Sequence, residues 1–264
     1  LTITGGNTTI GGNSSAGNLT VTGGNTTVTG NSTTTGNLTI TGGNTTVVGN
    51  STSGNLTVSG GNVTTQGTLN TGNLSQSNGT VTSNGALTSS SYTQTGGSAN
   101  VSGGLTVNGA FAQSGGSLGV TGNASITTTG SMQLGNLAVS GRLQAAASNG
   151  SITQTPATQV SVGQGASLQA PAGVSLNPGN QIQGGVQQSP QSGGNSAPEH
   201  HTVKVQGGTL LAPTLPTPQN ERTYTPQMPQ VQEAAPSNER VPSQGVVQEA
   251  DRLLIVNNSD RSGD

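Results

Sequence analysis

Charge is almost missing from the first three quarters of this chain. Between Leu1 and Pro198 the single charged residue is Arg142, and every other charged residue lies from Glu199 onward, with both histidines, His200 and His201. The first 198 residues therefore contain no Asp, Glu, His, Cys or Lys. General acid-base catalysis needs such a group beside the reacting atoms. A Ser or Thr nucleophile needs a base to activate it. Metal sites need carboxylate, imidazole or thiolate ligands. The composition of this region thus argues against an enzyme, a metal centre or a bound cofactor there.

Other absences narrow the class further. There is no cysteine, so no disulfide and no thiol from which to read a redox compartment. Aromatics make up 1% of the chain and Trp is absent, so any core must be built from small residues and Leu. No apolar run approaches the roughly 18 residues of a membrane-spanning helix. The net charge is −2, which gives no electrostatic footprint for nucleic acid or an anionic membrane. Low hydrophobicity often signals disorder, but usually together with high net charge. Here the polar residues are Thr, Asn, Ser and Gly, and Thr favours strands.

What is present is a repeat. Leu1, Leu19, Leu38, Leu56 and Leu74 recur at an almost constant interval of about 18–19 residues, and a fixed period of this order marks a stacked-repeat architecture. Ile3, Val21, Ile40 and Val58 follow the first four of these Leu residues by two positions, and Gly-Gly-Asn recurs at Asn7, Asn25, Asn44 and Asn62. Within one repeat, "LTVT" alternates with period two and reads as a strand, with Leu19 and Val21 inward and Thr20 and Thr22 outward. Gly23-Gly24-Asn25 reads as a turn, because Gly and Asn accept positive φ. "TTVT" reads as a second strand with Thr26 and Val28 inward. Gly30-Asn31 turns again, "STTT" forms a weaker third side, and Gly36-Asn37 closes the loop.

Three short strands and three turns make one coil of a parallel β-helix, and stacking makes the core continuous. Adjacent coils lie about 4.8 Å apart, so equivalent residues form ladders up the stack. Asn ladders can hydrogen-bond side chain to side chain. After Leu74 the register loosens while the alternation persists, and the step from Leu87 to Leu105 equals that from Leu56 to Leu74. Residues 1–186 then predict about ten coils and a shaft roughly 48 Å long. The composition shifts near Gln187: nine of the twelve prolines lie beyond it, with Gln, Ser and Glu. Residues 187–264 read as a Pro/Gln-rich, largely flexible C-terminal tail. The chain opens in mid-pattern, as expected of a segment of something longer.

"GNLTV" recurring with the period of the repeat and fading into "GNLAVSGRLQAAASNGSITQ" resembles the filamentous haemagglutinin-like exoproteins of Gram-negative bacteria, the two-partner-secretion adhesins. The resemblance covers residues 1–186. It implies an all-β, right-handed parallel β-helix shaft on a large secreted protein held at the bacterial cell surface or outer membrane. It also implies an outer-membrane two-partner-secretion transporter as partner, engaged through an N-terminal secretion domain that this sequence does not contain. A surface receptor or polysaccharide would be the adhesive target. The function expected on this basis is the structural shaft and C-terminal part of an adhesin, in cell adhesion, biofilm or host attachment.

Three motifs compete with that reading. Asn-x-Ser/Thr occurs at Asn7, Asn13, Asn18, Asn25, Asn31, Asn37, Asn44, Asn50, Asn55, Asn62, Asn73 and Asn78. It is a glycosylation acceptor pattern, but Asn turns followed by Thr strands generate it by arithmetic. Inner, stacked Asn side chains would also be out of reach of a transferase. Thr-x-Thr recurs on the outer side at Thr2/Thr4, Thr20/Thr22 and Thr39/Thr41, followed by Thr57/Ser59, which gives an ice-binding face as the alternative function. His200-His201 beside Glu199 could touch a metal, although such a pair in a Pro/Gln-rich tail is usually only solvated. Arg142, the one charge on the shaft, would ordinarily mark nothing.

Overall fold

The structure, a computed structural model, describes residues 1–188. The tail expected over 187–264, with Glu199, His200 and His201, lies outside the described residues apart from its first two positions. Every regular element among the described residues is a β-strand, and every strand pairing is parallel. The strands form one 16-stranded and one 10-stranded sheet. The 10-stranded sheet takes one strand from each coil, so the chain makes ten turns of a β-solenoid.

Each coil has three sides. In the second coil the first side is Leu19–Val21, the second is Asn25–Val28, and the third begins at Ser32. Second-side strands make up the 10-stranded sheet. The expected turn at Gly36-Asn37 is not a full break. One strand, Ser32–Ile40, carries the third side of one coil directly into the first side of the next, with a register shift between Thr34 and Asn37. Sides three and one are therefore a single bent sheet. The physical reason is that a bulge adds a residue and bends a strand without ending its pairing, whereas the Gly-Gly corner ends it.

The alternation expected from the sequence sets which side chains face inward. Leu19 and Val21 are buried, Thr20 is half-buried and Thr22 exposed. Thr26 and Val28 are both buried, and so are their equivalents Val63 and Thr65. Leu19, Leu38, Leu56 and Leu74 stack in register, and the row continues as Tyr92 and Phe111. Those two rings stack at 5.2 Å and 12°, so the interior holds both aromatics of the described residues. The third-side row starts polar, with Ser14, Ser32 and Ser51, then turns apolar at Leu69, Leu87 and Leu105. Leu87 and Leu105 thus belong to a different ladder from Leu74, although both ladders keep the same spacing.

The Gly-Gly corner is fixed by close approach. Gly24, Gly43 and Gly61 have φ of +72°, +70° and +68°. A Cβ on Gly24 would stand 2.0 Å from the Gly6 carbonyl oxygen, and one on Gly43 would stand 2.1 Å from that of Gly24. Both the backbone sign and the coil-to-coil distance exclude a side chain there. Later coils lengthen: Leu38 pairs with Leu56, but Ile152 pairs with the more distant Val174, and the extra residues enter the corners.

The first coils carry a cost inside. The hydroxyls of Thr26, Thr34, Thr45, Ser51 and Thr65 are buried without a hydrogen-bond partner. Desolvating a hydroxyl without a partner costs on the order of 1–3 kcal/mol. Thr45 stands in register with Val63, so the next coil already holds the isosteric apolar residue. Thr45→Val is expected to stabilise the solenoid by about 1 kcal/mol. Thr46→Val, on the outer surface, is expected to fall within about 0.5 kcal/mol of zero. Denaturant midpoints of the two variants against the parent check this, and equal shifts would contradict the inward assignment.

Candidate functional surface

The outer rows follow from the same alternation. Thr2, Thr20, Thr39 and Thr57 lie in register on the first side, continued by Ser75, Thr93 and Ala112. Thr22, Thr41 and Ser59 beside them are exposed. A longer threonine row lies on the second side, where the sequence reading had placed none: Thr9, Thr27, Thr46, Thr64 and Thr82 are paired in order. The signal was the middle Thr of "NTTV", which faces outward between two inward residues.

The asparagines beside this row form a ladder. Asn25 Nδ2 donates to Asn7 Oδ1 at 3.0 Å, Asn44 to Asn25 at 2.9 Å, and Asn62 to Asn44 at 2.8 Å. A second ladder runs from Asn37 through Asn55 to Asn73 at 2.8 and 2.6 Å. At the corner before the third side the amides act differently. Asn13, Asn31 and Asn50 each accept the backbone N–H of the residue one coil up, at 2.7–2.9 Å. All these residues are exposed or half-buried. The expectation that stacked Asn side chains point inward and cannot be reached is therefore wrong. They sit at strand starts, at corners or at the bend within the continuous strands, where their side chains turn outward, and Asn-x-Ser/Thr positions such as Asn25 and Asn44 face solvent.

Together Asn25, Thr27, Asn44, Thr46, Asn62 and Thr64 line a shallow, open groove of about 610 Å³ on the second side. Its chemistry is hydroxyl and amide only. Within the ladders Asn25, Asn44 and Asn55 each spend Oδ1 and one N–H along the axis and keep the other N–H for solvent or a ligand. Arg142 is exposed, and its backbone N–H is held by Asn123 Oδ1 at 2.9 Å. No group of three or more His, Cys, Asp or Glu side chains occurs among the described residues. No helix among them is long and apolar enough to cross a membrane.

A polar side-chain ladder also lies inside. Gln76, Gln94 and Gln113 take over the inner row of Ile40 and Val58, and all three are buried. Gln113 Nε2 donates to Gln94 Oε1 at 3.1 Å, and Gln94 Nε2 to Gln76 Oε1 at 3.3 Å. The same amides donate to corner carbonyls: Gln76 to Gly79 and Ser98, and Gln113 to Asn136. The Tyr92 hydroxyl donates to Gln94 Oε1 at 2.9 Å. The sequence reading missed this ladder, although Gln76, Gln94 and Gln113 recur at the coil spacing, which carried the signal.

Burial pushes the Tyr92 phenol well above its ordinary value of 10.0, because desolvation disfavours the phenolate. The folded state thus holds that proton more tightly than the unfolded chain. Its contribution to stability is complete below about pH 10 and falls as pH rises beyond it. We expect unfolding free energy to drop by up to about 1.4 kcal/mol per pH unit above this point. Tyr92→Phe should cost about 1 kcal/mol at neutral pH, through the lost bond to Gln94, and remove this alkaline slope. Denaturant unfolding of parent and variant on either side of about pH 10 measures both effects. An unchanged slope in the variant would place its origin elsewhere.

No known family model matches the chain, and neither a curated protein nor a solved structure shows significant similarity to it.

Proposed function

We propose that this chain is a non-catalytic structural shaft, the C-terminal part of a secreted bacterial surface adhesin, holding an adhesive region away from the cell or bridging cells. The observation that carries this reading is the unbroken parallel stack. Ten coils are joined by two continuous parallel sheets, while the outer rows of the early coils are uncharged Thr, Ser and Asn. The absence of Asp, Glu, His, Cys and Lys from residues 1–198 supports a mechanical role. Secretion through an outer-membrane transporter and a receptor or polysaccharide target follow from the resemblance to filamentous haemagglutinin-like proteins.

A shaft tolerates a change in length by whole coils. Removing residues 38–55 joins Asn37 to Leu56 and brings Ile40's partner Val58 onto Val21, so the ladder closes without a seam. This variant, displayed on cells within the full-length protein, should keep its β-sheet circular dichroism and its attachment, with the shaft shorter by about 4.8 Å. Removing residues 38–46 instead should disrupt the fold, because half a coil puts inner residues on the wrong side. Lost attachment in the whole-coil variant with its fold intact would count against a spacer.

A second reading rests on the registered outer threonines. The row Thr9–Thr27–Thr46–Thr64–Thr82 presents an uncharged hydroxyl array repeated at coil spacing, the regularity an ice-binding surface would use. Both threonine rows fade within about half the stack, at Asn100 on the second side and Ala112 on the first, which favours the shaft. We expect no thermal hysteresis from the purified protein. A freezing-point gap that Thr27→Lys and Thr46→Lys abolish would replace the shaft by an ice binder.

A further inference from the structure

We propose that Asn78–Gly79 is a site of spontaneous deamidation and isomerisation, at which this nearly uncharged shaft acquires a carboxylate with age. The Gly-Gly corner recurs as Gly23-Gly24, Gly42-Gly43, Gly60-Gly61, Gly96-Gly97 and Gly115-Gly116, and in this series only the 78–79 pair carries a side chain. Asn78 is exposed, and its Nδ2 has no hydrogen-bond partner among the described residues. The Gly79 N–H donates to Asn78 Oδ1 at 2.8 Å and takes no part in the coil-to-coil ladder. The Gly79 nitrogen thus lies beside the Asn78 side-chain amide, and neither group is tied to another residue.

The reaction needs only water and hydroxide. Base removes the Gly79 amide proton, and the nitrogen attacks Asn78 Cγ. The Cγ–Nδ2 bond breaks, and ammonia leaves with a proton from solvent. Water then opens the five-membered imide. Cleavage of the Cγ–N bond gives Asp, while cleavage at the backbone carbonyl gives isoaspartate, with the main chain rerouted through the side chain. Isoaspartate would lengthen the backbone immediately before Gly79. The carbonyl of Gly79 accepts the Nε2 of buried Gln76 at 3.0 Å and the N–H of Ser98 at 2.9 Å. The product would therefore strain the corner where the buried glutamine ladder begins.

The chain supplies its own reference. Asn84–Gly85 has the same preceding residue, Ser, and lies one corner further on. There the Gly85 N–H is tied to the Gly67 carbonyl at 2.9 Å, and Asn84 Nδ2 donates to Gln66 Oε1. Reaction at Asn84 first requires both bonds to open. The difference between the two sites thus comes from the fold, not from the local sequence.

The full chain would be aged at body temperature and mildly alkaline pH, then mapped by peptide mass spectrometry, with isoaspartyl methyltransferase labelling to score the isomer. Asn78 should convert roughly tenfold or more faster than Asn84 in the folded protein, and the two rates should converge in denaturant. Asn78→Gly restores the Gly-Gly corner of the other coils, so it should keep the thermal midpoint and remove the early acidic species that maps to this corner. Equal or faster conversion at Asn84 in the folded protein would overturn the proposal. So would protection of both sites by the fold, or an aged chain whose early acidic species maps only to other Asn-Gly pairs.

Discussion

The backbone hydrogen bond between coils sets the terms for everything else in this molecule. Thr20 N–H reaches Leu1 O at 2.9 Å, Thr22 reaches Ile3 at 2.9 Å, and Asn25 reaches Gly6 at 2.8 Å, all in the same direction along the stack. Inward residues donate the other way, Ser14 N–H up to Asn31 O at 2.8 Å and Tyr92 N–H up to Ala110 O at 2.9 Å. A strand inside such a stack pairs on both edges, so its polar backbone is satisfied without help from its side chains. This is why a chain of Thr, Ser, Asn and Gly can fold. The condition is that each coil return to register after one full period, since a single-position slip turns every inner side chain outward. The Gly-Gly corners follow from the same condition, because coils held at strand spacing leave no room for a Cβ at those corners.

Within this frame the stabilising side-chain contacts change along the stack. In the first coils the amides that link coil to coil are outside: the Asn7–Asn62 ladder, the Asn37–Asn73 ladder and the corner acceptors Asn13, Asn31 and Asn50. The interior there contains hydroxyls with no partner, at Thr26, Thr34, Thr45, Ser51 and Thr65. Each outer series then ends within about one coil, as Asn50 gives way to Thr68, Asn62 to Thr80 and Asn73 to Ser91. Over the same coils the interior gains Val63, Leu69 and Val81, and then the Tyr92–Phe111 stack. The amide ladder moves inward too, to Gln76, Gln94 and Gln113. An outer ladder of exposed amides competes with water for every bond, while a buried one does not.

This exchange explains which features were legible in the sequence. The period, the parity of Leu19, Val21, Thr26 and Val28, and the Gly-Gly corners could be read because each depends on residues within one coil and recurs unchanged in the next. The continuity of sides three and one could not, since Gly36-Asn37 has the composition of a turn whether the chain bends at a bulge or breaks. The outward facing of the Asn ladders was missed because stacking along the axis was equated with an inner position, whereas Asn25 precedes the inward Thr26 and so alternates outward. The Gln76–Gln113 row was hidden for a different reason. Gln in an alternating segment reads as an outer residue, and only its equivalence with Val58 across a full coil places it inside.

The region around Leu69–Gly79 is where these departures gather. It holds the first apolar residue of the third-side row, the first buried glutamine and the one Asn within the Gly-Gly corner series. Before it, successive coils are near copies, so any outer contact repeats at strand spacing and an extended partner would meet many equivalent weak sites in a row. Beyond it the outer rows diverge, and repetition survives only in the backbone. With one charge among residues 1–198, long-range steering is negligible and such contacts act at hydrogen-bonding range. On the proposed reading the two halves of the stack then differ in role. The regular early coils offer a repeated polar surface, while the later coils, with the larger apolar core, give the stack its resistance to unwinding.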